Sequence, residues 1–225
     1  MSASGNKNKR VHKQRKRSSS ERLSLYLREL ETLLEKGVKT VRSQDLQLPG
    51  VSTPDQVRRD LANFGQFGKP GVGYQVQTLV AELRKVLGTD RRHSVLLIGV
   101  GNLGRALLSY KGFLYRGFDI VAAFDNNPDL IGTEVAGIRI APLSDLVRSA
   151  REKNIKVAIL TIPAEELDAV GGYLEEAQIR AVLNLAPAKL DLPEAIVVRN
   201  VDLSLQLEQL VFHAGLSRDI ETDSG

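Results

Sequence analysis

The run HSVLLIGVGNLGRALLSY, residues 93–110, constrains the fold more than any other stretch of the chain. Val95 to Ile98 form an apolar run that stops at Gly99, and Gly99, Gly101 and Gly104 keep the G-x-G-x-x-G spacing. A helical pattern opens at once, with Leu103, Leu107 and Leu108 expected on one inward face. In a strand, tight turn and helix of this kind each glycine has a task. The first permits the turn, the second lets a pyrophosphate approach the backbone, and the third lets helix and strand pack closely. The helix start adds unpaired N–H groups and a partial positive charge, which suit an anion. FDIVAAFD, residues 118–125, reads as a second strand ending in Asp125, 21 residues past Gly104. A carboxylate near that spacing bonds the adenosine ribose hydroxyls in dinucleotide-binding units.

The chain beyond Asp125 alternates strand and helix. Gly132 and Gly137 bracket a short extended piece; helices are expected over 142–154, 164–177 and 203–216, strands over 156–163, 179–187 and 194–202. This order implies a doubly wound parallel sheet, whose ligands sit beyond the carboxyl ends of the strands. Those ends carry Gly99–Gly104, Asp125, Thr161-Ile162-Pro163 and Asn184-Leu185-Ala186-Pro187. The last helix holds Leu203, Leu205, Leu207, Leu210, Val211, Phe212 and Leu216, more apolar residues than one stripe needs, which favours an interface with a partner chain.

Catalytic groups are scarce. The chain has no cysteine and three histidines: His12 near the N-terminus, His93 before the first strand, and His213 in the last helix. No metal-ligand spacing or nucleophile elbow is present; Tyr110 can in principle donate a proton, which keeps catalysis open as an alternative. A nucleotide site without a substrate site is expected of a sensor rather than an enzyme. The absence of cysteine suits a reducing cytoplasm, and no apolar run approaches the roughly 20 residues of a membrane span.

Charge divides the chain. Residues 1–90 carry 17 Lys/Arg against 9 Asp/Glu, whereas residues 91–225 carry 14 against 18, within an overall net charge of +4. A basic half suggests a polyanionic partner, nucleic acid first. Residues 1–20 hold seven Lys/Arg and no acid; they are expected to be a disordered basic tail. ERLSLYLRELETLLEKG, residues 21–37, is an amphipathic helix with Leu23, Leu27, Leu30 and Leu34 at helical spacing and Gly37 beyond its end. Ser43 is expected to cap a short second helix, and Thr53-Pro54 to open a third with Val57, Leu61 and Phe64 inward. That order is a helix-turn-helix. Gln56, Arg58, Arg59 and Asn63 leave the apolar face; arginine suits guanine edges, and Gln or Asn suits adenine. GQFGKPGVGYQV, residues 65–76, reads as a two-stranded wing with Lys69 near its tip, and residues 75–88 as a linking helix with Leu79, Leu83, Val86 and Leu87 inward.

The chain resembles the Rex family of bacterial redox-sensing transcriptional repressors. The likeness is carried by SxYLRxL at 24–30, QVRRDLxxFGxFGKPGVGY at 56–74, LLIGVGNLGRALLxYxGF at 96–113, AFDNNPDLIGTEVAG at 123–137, LTIPA at 160–164, LNLAPAKL at 183–190 and NVDLSLQLEQL at 200–210. The resemblance implies an α/β protein with a winged-helix domain over 21–88, a Rossmann NAD(H) domain over 89–202, and a domain-swapped dimerisation helix over 203–217. It implies a homodimer on palindromic double-stranded operator DNA that binds when NADH is low and leaves when NADH binds. Candidate nucleotide contacts are Gly99, Val100, Gly101, Asn102, Leu103, Gly104, Tyr110, Asp125, Asn126, Thr161, Ile162, Pro163, Asn184, Ala186 and Pro187. Candidate DNA contacts are Ser43, Ser52, Thr53, Gln56, Arg58, Arg59 and Lys69. Arg28, Tyr110 and Asp202 match the positions of a switch network in the family. A small NAD-dependent oxidoreductase and a CoA-binding Rossmann regulator are the alternatives.

Overall fold

The structure, a computed structural model, describes residues 18–69 and 72–215. The chain divides into two compact units that meet in sequence between Arg91 and Arg92.

In the first unit, helix α1 (Ser19–Glu35) starts earlier than the sequence pattern predicts. Ser18 closes a reciprocal capping box with Glu21, so residues 18–20 belong to the helix and not to the expected tail; the rest of that expectation, residues 1–17, lies outside the described residues. Gly37, at φ +76°, takes the left-handed position that ends the helix. Strand β1 (Thr40–Val41) follows, then helix α2 (Pro54–Ala62), strands β2 (Gly68–Lys69) and β3 (Gly73–Gln75), and helix α3 (Val76–Val86). The strands pair antiparallel in the order β1-β3-β2, so the wing has a third strand that the sequence did not announce.

Three expectations fail here. Residues 43–46 form a turn and not a helix: Asp45 Oδ2 accepts from Arg42 N at 2.6 Å and Asp45 N donates to Arg42 O at 3.0 Å, so Ser43 caps nothing. Phe64 is 44% exposed because α2 stops at Ala62, before the inward stripe reaches it. Val86 lies at the exposed end of α3, where Val76 and Val80 fill the inward positions instead. The core of this unit joins Leu23, Tyr26, Leu27 and Leu30 of α1 to Val57 and Leu61 of α2 and to Leu79 and Leu83 of α3.

The second unit is a seven-stranded sheet of order β10-β9-β8-β4-β5-β7-β6. Its strands are β4 (His93–Ile98), β5 (Phe118–Asp125), β6 (Glu134–Val135), β7 (Ile138–Pro142), β8 (Val157–Leu160), β9 (Ala181–Asn184) and β10 (Val197–Asn200). All pairings are parallel except the β6–β7 hairpin, which turns through Ala136 and Gly137, both at positive φ. Helices α4 (Asn102–Leu108) and α5 (Gly112–Tyr115) belong to one face, where Leu107, Leu108 and Phe113 pack. Helices α6 (Leu146–Glu152) and α7 (Leu167–Glu176) cover the other with Leu146, Ala150, Leu167, Val170 and Leu174. Both faces are therefore covered over the central strands, as a parallel sheet requires, while the edge strand β10 stays mostly exposed.

Helix α8 (Leu203–His213) is exposed along its whole length; Leu203, Leu207 and Leu210 are each at least 60% accessible. Leu103, expected inward, is 40% exposed. It sits in the first turn of α4, beyond the strand ends, and faces a cavity rather than the sheet.

Candidate nucleotide site and DNA-facing surface

The glycine turn after β4 is shaped by close contacts. Gly99 has φ +92°, and a Cβ there would lie 2.8 Å from both Ile162 Cγ2 and Thr161 O. A Cβ on Gly104 would collide with Gly99 O, so this glycine sets how closely α4 approaches the turn. A Cβ on Gly101 would meet no protein atom within 4 Å. Two glycines are thus required by protein packing, and the third faces open space where a ligand can reach the backbone. Thr161 Oγ1 donates to Gly99 O at 2.6 Å and fastens the turn to the end of β8.

Asp125, the last residue of β5, is fixed from two sides. Its Oδ2 accepts from Val100 N at 2.6 Å and its Oδ1 from Asn127 N at 2.8 Å. The carboxylate keeps lone pairs for further donors and remains partly exposed. Above it opens a cavity of about 460 Å³. Gly99, Gly101, Leu103, Asp125, Asn126, Thr161, Ile162, Pro163 and Pro187 line it, as the sequence suggests. Asn127, Leu130, Leu143, Leu185 and Glu166 line it as well. Leu143 arrives at the end of β7, whose full length the sequence pattern does not reveal.

Other candidates lie elsewhere. Asn184 is wholly buried and braces the loop behind the cavity. Its Nδ2 donates to Ala188 O at 2.8 Å and to Asn200 Oδ1 at 2.7 Å, and its Oδ1 accepts from Ala186 N at 3.1 Å. Ala186 and Val100 are buried and act through their backbones. Asn102 begins α4 on the exposed surface. Tyr110 is 58% exposed and packs edge-on against Phe113, with ring centroids 5.1 Å apart, outside the lining. His93 opens β4 and stacks on Phe118, far along the strand from the glycine turn. Asp202 caps α8, its Oδ1 accepting from Ser204 N at 2.9 Å and Leu205 N at 3.1 Å. Among the described residues, no group of His, Cys, Asp or Glu could hold a metal ion, and no helix is long and apolar enough to cross a membrane.

In the first unit, Thr53 Oγ1 caps α2 by accepting from Gln56 N at 3.2 Å. Arg58 pairs with Asp55, and Arg59 Nη2 donates to Gln56 Oε1 at 3.2 Å. Between α2 and the wing lies an open groove of about 780 Å³, lined by Arg42, Ser43, Arg58, Phe67 and Tyr74 among others. Ser43 and Ser52 are both 8% exposed, and Ser52 Oγ accepts from Leu48 N at 3.3 Å. The backbone of Lys69 lies in β2. Arg28 is exposed on α1.

Asp60 escapes the sequence reading. It is 1% exposed, inside the apolar stripe of α2. Its carboxylate accepts from Arg22 Nε at 2.6 Å, Arg22 Nη2 at 2.7 Å, Gln56 Nε2 at 2.8 Å and Tyr26 Oη at 3.1 Å. Burial alone would raise its pKa, but the bonds from Arg22, Gln56 and Tyr26 outweigh it and hold the carboxyl below its ordinary value. The same bonding raises Arg22, and burial raises Tyr26. An acid at an inward helical position, between Val57 and Leu61, was the available signal.

Known proteins resemble both units. Residues 17–62 match the family model described as "Putative DNA-binding protein N-terminus", and residues 90–188 match "CoA binding domain". A redox-sensing transcriptional repressor Rex from Syntrophomonas wolfei is 46% identical over 197 residues, covering 87% of this chain and 93% of the relative. The Rex of Desulforamulus reducens is 42% identical over 195 residues, covering 87% and 93%. Among solved structures, RSP in complex with β-NAD⁺ and operator DNA is 35% identical with TM-score 0.83, covering 88% of this chain and 91% of that one. RSP in complex with β-NADH is 33% identical with TM-score 0.78, covering 88% and 93%. With this identity along nearly its whole described length, and with a glycine-turn unit following a winged helix, the chain belongs to the Rex family of redox-sensing transcriptional repressors.

Proposed function

We propose that this chain is a transcriptional repressor that binds operator DNA through its winged-helix unit and NAD(H) in the cavity over Gly101 and Asp125. The observation that carries the proposal is the pairing of those two surfaces in one chain. The free face of Gly101 leaves room for a pyrophosphate, and Asp125 stands ready for ribose hydroxyls. The RSP structures with NAD⁺ plus operator DNA, and with NADH, support the same pairing of ligands.

Arg58 and Arg59 on α2 and the backbone of the wing form the DNA-facing surface, with Arg42 at the groove. NADH shifts the protein away from DNA only if it binds the released form better than the bound form. Arg28, Tyr110 and Asp202 are the positions through which the family resemblance routes that preference. The exposed apolar face of α8 makes the contact of a homodimer, and a palindromic operator then matches the protein's twofold symmetry. The protein works in the cytoplasm as a regulator without catalytic turnover.

The match to a CoA-binding family model supports a second occupant, CoA. Asp125 weighs against it, because the 3′-phosphate of CoA would sit on the ribose beside this carboxylate. Operator binding measured across a series of NADH/NAD⁺ ratios, with CoA as a parallel arm, tests the proposal. Repression of binding as the NADH fraction rises is expected; release by CoA and indifference to NADH would replace it with the second reading.

A further inference from the structure

We infer that Gln56 and Asp60 are positioning residues that set DNA sequence preference through Arg59, and that Gln56 does not itself read a base; this rests on the DNA-binding role proposed above. A continuous chain of hydrogen bonds supports it. Arg22 of α1 makes a two-pronged pair with Asp60, Asp60 Oδ1 accepts from Gln56 Nε2 at 2.8 Å, and Gln56 Oε1 accepts from Arg59 Nη2 at 3.2 Å. The amide of Gln56 is therefore turned with its nitrogen inward and its oxygen toward Arg59.

An adenine reader presents amide nitrogen and oxygen together to the base edge. In Gln56 the nitrogen is committed to a carboxylate that is 1% exposed. Turning the amide outward would strip a bond from a buried charge, which is costly. What reaches the surface from this network is the guanidinium of Arg59, held at one of its donors. Arg58 differs: its partner, Asp55, is itself exposed on the surface of α2. A guanidinium held in place loses less side-chain freedom on binding and keeps its fork aligned for bidentate contact. Asp60 thus anchors the reading face of α2 to α1, and Gln56 transmits the anchor.

A double-mutant cycle on the full chain tests this. The probe is a duplex enriched from a random-sequence library by the unaltered protein. Gln56→Met keeps side-chain length and helix propensity while removing both amide bonds. Gln56→Met should weaken binding to the enriched duplex by about tenfold and broaden the selected sequence at the base that Arg59 meets. In an Arg59→Ala background the same change should cost less than about twofold, because positioning residues couple to what they position. Independent, multiplying losses, or lost preference at a base that Arg59→Ala leaves unchanged, would make Gln56 a direct reader. No change in the selected sequence would also overturn the inference. An unaltered chain that enriches no sequence would sink the DNA-binding proposal itself, and this inference with it.

Discussion

At the residue scale, two carboxylates show how environment assigns a role. Asp125 is tied by Val100 N and Asn127 N at the mouth of the cavity, so its charge is fixed where the proposed reading puts the adenosine ribose. A 2′-phosphate there would face a like charge, and residues 126–128, Asn-Asn-Pro, supply no arginine to offset it. NADH is expected to bind at least about tenfold more tightly than NADPH, or roughly 1.4 kcal/mol. Titration of each cofactor checks this, and equal affinities would refute it. Asp60 has the opposite task. Its charge is buried and satisfied by four donors, so Asp60→Ala removes the carboxylate that balances the buried Arg22 guanidinium. Breaking such a pair from one side costs about 3–5 kcal/mol, readable as lowered denaturant resistance of the winged-helix unit. The pH dependence follows from the direction of the shift. Asp60 has a folded pKa below its ordinary value, so its contribution is complete above the ordinary range for aspartate and is lost as pH falls through the lowered folded value. Thermal melts across the acid range should show a steeper decline for the native chain than for Asp60→Asn.

At the element scale, periodicity made most of the fold legible. β4 and β5 sit where the apolar runs end in Gly99 and Asp125, and α2 begins at its Thr53-Pro54 start signal. The failures share a cause. The turn at 43–46 depends on the Asp45 side chain closing on Arg42 N, an interaction with no periodic signature. β1 is two residues long and exists by pairing with β3, and β7 earns strand status from β5, so neither can be read from local pattern. The cavity residues Leu130, Leu143 and Glu166 were missed for the same reason, since topology and not spacing brings them together. Helix α8 was legible as an apolar surplus, and the structure leaves its apolar residues from Leu203 to Phe212 exposed. If α8 is the dimer contact, Leu207→Arg with Leu210→Arg should shift the protein toward monomer in sedimentation velocity, because two desolvated charges would enter an apolar interface. An unchanged sedimentation coefficient would place the contact elsewhere.

At the scale of the whole molecule, a basic DNA-facing unit and an acidic nucleotide unit must exchange free energy for the protein to sense anything. Such coupling is typically about 1–3 kcal/mol and must appear as a difference in operator affinity with and without nucleotide. Asp202 tests how that coupling is carried, because the structure gives it a competing role. Its Oδ1 caps α8 through Ser204 N and Leu205 N, so a plain deletion would confuse helix fraying with lost signalling. Asn caps a helix about as well as Asp but carries no charge, whereas Ala neither caps nor carries a charge, at a cost of about 1 kcal/mol in helix stability. Asp202→Asn should therefore preserve α8 and NADH affinity, and should shrink the ratio of operator affinities measured without and with saturating NADH. Asp202→Ala should lose the same coupling and destabilise α8 as well. If Asp202→Asn keeps the full ratio while Asp202→Ala loses it, the charge carries no signal and the residue matters only as a cap. If both keep the full ratio, Asp202 has no part in the switch, and the coupling must run through other residues of the nucleotide unit.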